Sequence, residues 1–171
     1  LINGLQQVFQ LVRFCDFPVV AAPYGLVLGG GMEMIGCCDR RVASAESYIG
    51  LVEVGVGLIP GAGGTLRFIL NIFEENKNKP LTPFQVGQKT LETIGFAKVS
   101  TSASHALKLG YLRSEDEIVM NRDHLLFRSK EVALKLSDSY YPPTYRKDII
   151  LASKGSLTAM HVALKLSLIH I

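Results

Sequence analysis

Tryptophan is absent from this chain, and charge is sparse. Of 171 residues, 19% are Asp, Glu, Lys or Arg, with a formal net charge of +3. The basic residues are scattered and form no stripe, so nothing in the charge pattern points to nucleic acid. Cysteine is scarce as well, at three residues: Cys15 and the adjacent Cys37 and Cys38. An odd count with a neighbouring pair makes no disulfide framework and suits a reducing compartment, so a cytoplasmic location is expected. His105, His124, His161 and His170 stand far apart, with no ligand-spaced pair, and no metal site is expected. Long apolar runs are missing too. The longest charge-free stretch, Phe17 to Met32, is interrupted by Pro18, Pro23 and several glycines and falls short of the roughly 20 residues of a spanning helix. No basic segment leads into an apolar run at the start, so no signal peptide is visible. The chain opens inside a helical pattern at Leu1 and stops on the apolar residues 166–171, so both ends read as cut and a longer parent is expected.

What is present is core-forming sequence: 48% hydrophobic residues and 16 glycines in about one domain's length, against roughly 150 residues per domain. Leu5, Val8, Phe9 and Val12 have the spacing of an amphipathic helix over residues 4–14. Residues 19–22, between Pro18 and Pro23, read as a short buried strand. Met32 to Cys38 reads as a short helix and Arg41 to Ala45 as a second strand, which together suggest one β-α-β step. Thr65 is positioned to cap a helix with Leu66, Ile69, Leu70 and Phe73 on its buried face. The polar residues 74–83 read as a linker or surface insertion. Beyond it the pattern turns helical. One helix begins at Ser102 and ends at Gly110. A longer one is capped by Asn121, carries Leu125, Val132 and Leu136 on one face, and stops at Pro142-Pro143. A last one carries Leu157, Met160, Leu164 and Leu168. The organisation expected is a core over residues 1–79 and a helical region over 80–171 serving packing or oligomerisation.

The glycines are concentrated in the first part, and two acids sit among them. Gly29-Gly30-Gly31 between a strand and a helix permits backbone conformations closed to other residues and lets a ligand approach the main chain. The first N–H groups of the helix lack intrahelical partners and lie at the positive end of its dipole, a place that stabilises a developing oxyanion. Glu33 falls in that first turn. The same residues also suit a plain tight turn with a solvated first-turn acid. Glu53 is the only charge between Glu46 and Arg67. A lone carboxylate in so apolar and glycine-rich a setting is expected to be partly buried, which raises its pKa towards neutrality; a solvent-facing or ion-paired Glu is the plain alternative. Adding water across an activated double bond needs one group to take a proton and another to deliver one, and two carboxylates in different environments divide those roles.

The stretch from Pro18 to Arg67 resembles the crotonase (enoyl-CoA hydratase/isomerase) superfamily. The shared segments are Pro-Val-Val-Ala-Ala at 18–22, Leu-Gly-Gly-Gly-Met-Glu at 28–33, Cys-Asp at 38–39 and Ile-Pro-Gly-Ala-Gly-Gly-Thr at 59–65. Phe96-Ala97-Lys98-Val99 through Leu109-Gly110-Tyr111-Leu112 is similar to the family's helix–turn segment. The resemblance implies an α/β fold, a crotonase-like ββα spiral core truncated at its N-terminal side and followed by a mainly helical part. It implies that the Gly30 N–H is one of two donors to an acyl-CoA thioester oxygen, with Glu33 and Glu53 as the catalytic acids. The implied reaction is hydration of trans-2-enoyl-CoA to 3-hydroxyacyl-CoA in β-oxidation. The wording of residues 47–61, with the insert at 74–83 and Met120-Asn121-Arg122-Asp123, looks like the hydratase part of bacterial multifunctional proteins that also carry a 3-hydroxyacyl-CoA dehydrogenase. The implied partners are an acyl-CoA substrate and a homo-oligomer or the parent's dehydrogenase domains.

No cofactor is expected in this segment beyond the substrate's own coenzyme A. Gly55-Val56-Gly57-Leu58-Ile59-Pro60 has Pro where the dinucleotide fingerprint needs its third glycine, so NAD would belong to a dehydrogenase domain elsewhere. The family's opening strands and loop, with the second oxyanion donor, would precede Leu1. Two other readings stay open at this stage: an enoyl-CoA isomerase working with one acid, and a non-catalytic acyl-CoA-binding or assembly module.

Overall fold

The computed structural model describes residues 2–147, 149 and 153–168. Helix α1 (Ile2–Arg13) turns a single buried aromatic, Phe9, inward. Two short strands follow, β1 (Val20–Ala21) and β2 (Gly25–Leu28). Then come helix α2 (Gly30–Cys37) and strands β3 (Arg40–Ser44) and β4 (Ser47–Gly50). β1 pairs in parallel with β3, and β2 pairs in parallel with β4, with Gly25 opposite Ser47 and Leu28 opposite Gly50. The expected β-α-β step is therefore present twice, because two interleaved ladders share α2 as their crossover. Strands β2 and β4 carry no clear sequence signal. Both are four residues long, and Leu26 points outward at 76% exposure where alternation would mark a core.

Helix α3 (Gly64–Glu75) departs from expectation at its start and on its face. Its N-cap is Gly63, at φ 107°, so Thr65 lies inside the first turn and caps nothing. The buried positions are Gly64, Phe68, Asn71 and Ile72, while Leu66 is exposed and Ile69, Leu70 and Phe73 lie at the margin. The expected linker is short. Residues 74 and 75 complete α3, and Thr82 opens helix α4 (Pro83–Thr90) through a reciprocal capping box with Gln85.

Helix α4 passes through one wide turn, Leu91–Gly95, towards α5 (Ala103–Leu109), which Ser102 caps and Gly110 ends at φ 96°. A strand then appears where only helix was expected. β5 (Glu117–Val119) adds to β3 in parallel and completes the sheet order β1-β3-β5. Asn121 caps the 3-10 turn Arg122–His124, which leads into α6 (Leu125–Ser137). That helix ends well before Pro142, and Leu125 and Ser129 are its most buried residues. α7 (Lys154–Leu168) is the last helix, with Leu157 exposed; the side chains of Leu164 and Leu168 lie outside the described residues. Among the described residues no helix is long and apolar enough to cross a membrane.

The main core gathers Val27, Met32, Ile49, Leu51, Phe68 and Ile72 with Val86, Ile94, Ala106, Tyr111 and Leu112. It thus draws on both sides of residue 80. One charged pair is sealed beside it: Arg41 on β3 and Asp116 just before β5 are each 1% exposed, 2.8 Å apart. Asp116 Oδ1 also accepts from the Arg41 N–H and Oδ2 from the Arg113 N–H. The carboxylate so fixes the approach of β5 to β3. Asp116→Ala strands a buried guanidinium and is expected to lower the unfolding free energy by about 3–5 kcal/mol. Urea melts of the intact protein measure this; a loss under about 1 kcal/mol, the size of an average substitution, would show the pair to be dispensable.

Candidate active site

The β2–α2 turn is built on Gly29, whose φ of 54° and ψ of −123° are closed to a side chain. Its N–H donates to the Gly50 carbonyl at 2.9 Å, ending the β2–β4 ladder, and its carbonyl accepts from the Glu33 N–H at 3.0 Å. Gly30 heads α2, and a Cβ placed on it would meet nothing within 4 Å, so a ligand has room to approach this helix end.

Glu33 points inward. It is 4% exposed, and its Oε1 accepts from the Ala62 N–H at 2.8 Å and the Gly64 N–H at 2.9 Å. The carboxylate therefore sits at the start of α3, where amide donors and the helix dipole both favour negative charge. The solvated first-turn acid is excluded by this burial. Gly64 must lack a side chain: a Cβ there would lie 2.7 Å from Leu51 Cδ2 and 2.9 Å from Glu33 Cγ.

Glu53 opens the 3-10 turn Glu53–Val56, which Gly57 closes at φ 77°. It is half-buried, and its Oε2 is shielded with no hydrogen-bond partner among the described residues. Oε1 lies 3.4 Å from where a Cβ on Gly29 would be, so the carboxylate faces the glycine turn. Burial first, then the nearby Glu33 charge, hold its pKa above the ordinary carboxylate range. Glu33, Glu53 and Gly30 thus converge on one small region, reached from two helix starts and a 3-10 turn.

Two supports went unseen in the sequence. The Ala62 and Gly64 amides were part of a glycine-rich run whose donors had no visible target. Tyr111, fully buried, accepts from the Leu51 N–H at 3.2 Å and donates to the Lys98 carbonyl at 2.8 Å, which holds the segment leading to Glu53. A periodic pattern offers no sign of either. Cys37 and Cys38 are buried, and burial pushes the Cys38 thiol up to about 11, which disfavours a reactive thiolate.

A family model described as enoyl-CoA hydratase/isomerase matches residues 2–110. The chain belongs to this family. It is 37% identical over 160 residues to the "Probable 3-hydroxyacyl-CoA dehydrogenase" of Bacillus subtilis, which covers 94% of this chain and 20% of that protein. It is 32% identical over 130 residues to the short-chain-enoyl-CoA hydratase of Clostridium acetobutylicum, covering 76% of this chain and 43% of that protein. The crystal structure of an enoyl-CoA hydratase from Bacillus anthracis superposes at a TM-score of 0.65 with 30% identity, covering 81% of this chain and 46% of that one. The chain therefore spans a fifth to just under half of these three proteins. The α/β class with small parallel ladders agrees with these crotonase-fold neighbours.

The raised pKa of Glu53 has a consequence for this family member's stability. The folded state holds the Glu53 proton more tightly than the unfolded chain, so ionisation costs stability as pH rises through and just above the ordinary carboxylate range. Glu53→Gln removes that cost. Its stability advantage over the parent is expected to be largest at neutral pH and to shrink as pH falls through that window. Thermal melts from acid to neutral pH measure the difference; an advantage that grows towards acid would show the carboxylate to be stabilised in place.

Proposed function

We propose that this chain carries the two-acid centre of an enoyl-CoA hydratase, which adds water to a trans-2-enoyl thioester and forms the 3-hydroxyacyl thioester. The observation that carries this reading is the unequal treatment of two carboxylates beside one glycine turn. Glu33 is held by two amide N–H groups, while Glu53 is desolvated with one oxygen unpartnered. Acid and base are assigned by such differences. On this reading the Gly30 N–H receives the thioester oxygen as negative charge builds on it. Glu33 takes a proton from the water whose oxygen bonds to C3, and Glu53 delivers a proton to C2. The coenzyme A belongs to the substrate, and the residues named here make the proton transfers without a further cofactor.

The likeness to the Bacillus subtilis protein, over 94% of this chain, supports a place beside a 3-hydroxyacyl-CoA dehydrogenase. That neighbour would oxidise the product made here. The exposed apolar side chains of Leu26, Ile59, Met120 and Phe127 suit packing against further protein of such a parent or assembly.

The reading is tested on the intact protein by the loss of conjugated enoyl thioester absorbance with a short trans-2-enoyl-CoA. Glu33→Gln and Glu53→Gln are each expected to lower kcat by about 10²–10⁴-fold, the range for a displaced general acid or base. Hydration that survives both substitutions would reject the assignment. Double-bond migration of a 3-enoyl-CoA that persists at full rate in Glu33→Gln would favour a one-acid isomerase instead.

A further inference from the structure

At the C-terminal end of α2, and one turn beyond the start of α3, lies a cavity of about 290 Å³. Arg13, Arg41, Arg67, Arg113 and Arg146 line it, with Glu74 the one carboxylate on its wall among the described residues. So many guanidiniums around one small space repel each other unless anions meet them. The nearby carboxylates are already engaged. Asp39 pairs with Arg13 at 3.4 Å, and Asp116 with Arg41 at 2.8 Å. Glu115 is shared between Arg40 and Arg113, and Glu74 between Lys77 and Arg146. Arg67 makes no ion pair among the described residues. The carbonyl end of α2 offsets part of the positive charge.

Donors are left over as well. Arg41 is 1% exposed, yet its Nε and Nη2 have no hydrogen-bond partner among the described residues, the Nη2–Asp116 contact being close but poorly aligned. Arg113 Nε is likewise buried without an acceptor. Asp116 offsets the charge of Arg41, but the unmet N–H groups leave part of the desolvation cost standing, and an acceptor in the cavity would meet it. Burial and the neighbouring guanidiniums already lower the Arg13 pKa, and they push Arg41 down to about 10.

We propose that this cavity is a second ligand site, which binds a phosphate group between Arg13, Arg41, Arg67 and Arg113. A phosphate suits it better than a carboxylate. Its negative charge meets a cluster in which Arg67 has no ion pair among the described residues and Glu74 and Glu115 each serve two cations. Its tetrahedral oxygens accept from several guanidinium forks at once, where a carboxylate fills one. The site stands apart from Glu33 and Glu53 and does not depend on the hydratase reading.

Calorimetric titration of the intact protein with inorganic phosphate at low ionic strength is the direct test. Saturable binding is expected, about tenfold or more weaker in Arg67→Gln and partly restored in Arg67→Lys, the size set by one charge-assisted hydrogen-bonding group. Arg67 is only half-buried, and the circular dichroism of Arg67→Gln should match the parent's. A second titration asks whether phosphate displaces coenzyme A. Displacement would assign the site to the phosphate of a coenzyme A-type ligand, and binding without displacement to a free oxyanion; either supports the proposal. No saturable phosphate binding, an equal response to chloride, or undiminished affinity in folded Arg67→Gln would overturn it.

Discussion

A carboxylate buried to 4% exposure has to be met by donors, and in this protein the Ala62 and Gly64 amides meet Glu33. Much of the surrounding structure follows from that requirement. The two N–H groups belong to the approach and first turn of α3, so the first turn of α2 must be brought against it. Gly64 has to lack a side chain, because a Cβ would run into Leu51 and into Glu33 itself. At Gly36, farther along, a Cβ would meet Arg67 only at an ordinary contact distance of 3.4 Å. Gly64 is thus the residue that lets the two helices approach closely enough to share one carboxylate.

The same arrangement makes the second acid different from the first. Glu53 lies on a 3-10 turn instead of a regular helix, half out of water and within the field of Glu33. Its place depends on residues far along the chain. Tyr111 ties Leu51 to Lys98, and the Ser100 hydroxyl accepts from the Ile49 N–H at 2.8 Å, so α5 and the segment before it set where β4 leaves the sheet. A Cβ on Gly50 would stand 2.8 Å from the Lys98 carbonyl, which shows how tightly these segments meet. The later part of the chain is therefore as much a part of the centre's framework as the glycine turns are.

Charge in the rest of the molecule is organised around β3. Asp39 accepts from the Val19 N–H and pairs with Arg13, and the Tyr140 hydroxyl donates to it at 3.2 Å, so the tail beyond α6 returns to the start of the sheet. Asp116 does the equivalent work for β5. Membership of the enoyl-CoA hydratase/isomerase family accounts for the fold. The guanidinium cluster around the cavity beside α2 has its own physical logic, in which buried Arg41 and Arg113 donors lack acceptors among the described residues.

Local chemistry was enough to read several elements from the sequence. Helix α1 and the α5 caps at Ser102 and Gly110 show in spacing and capping residues, because those signals lie within one turn. The partial burial of Glu53 was legible too, since it is the only charge in a long apolar, glycine-rich stretch. Strands β2, β4 and β5 were not legible. They are three or four residues long, and their identity comes from partners far away, as in the pairing of Val42 with Glu117. Thr65 was misread as a cap because glycine at position 63 takes the left-handed conformation that starts the helix earlier. The sequence by itself determined which acids and glycines are available and the order in which they come. Tertiary structure alone decided that two distant amides hold Glu33 while one oxygen of Glu53 is buried without a partner among the described residues, because hydrogen-bond partners and desolvation are set by chain segments that meet only on folding.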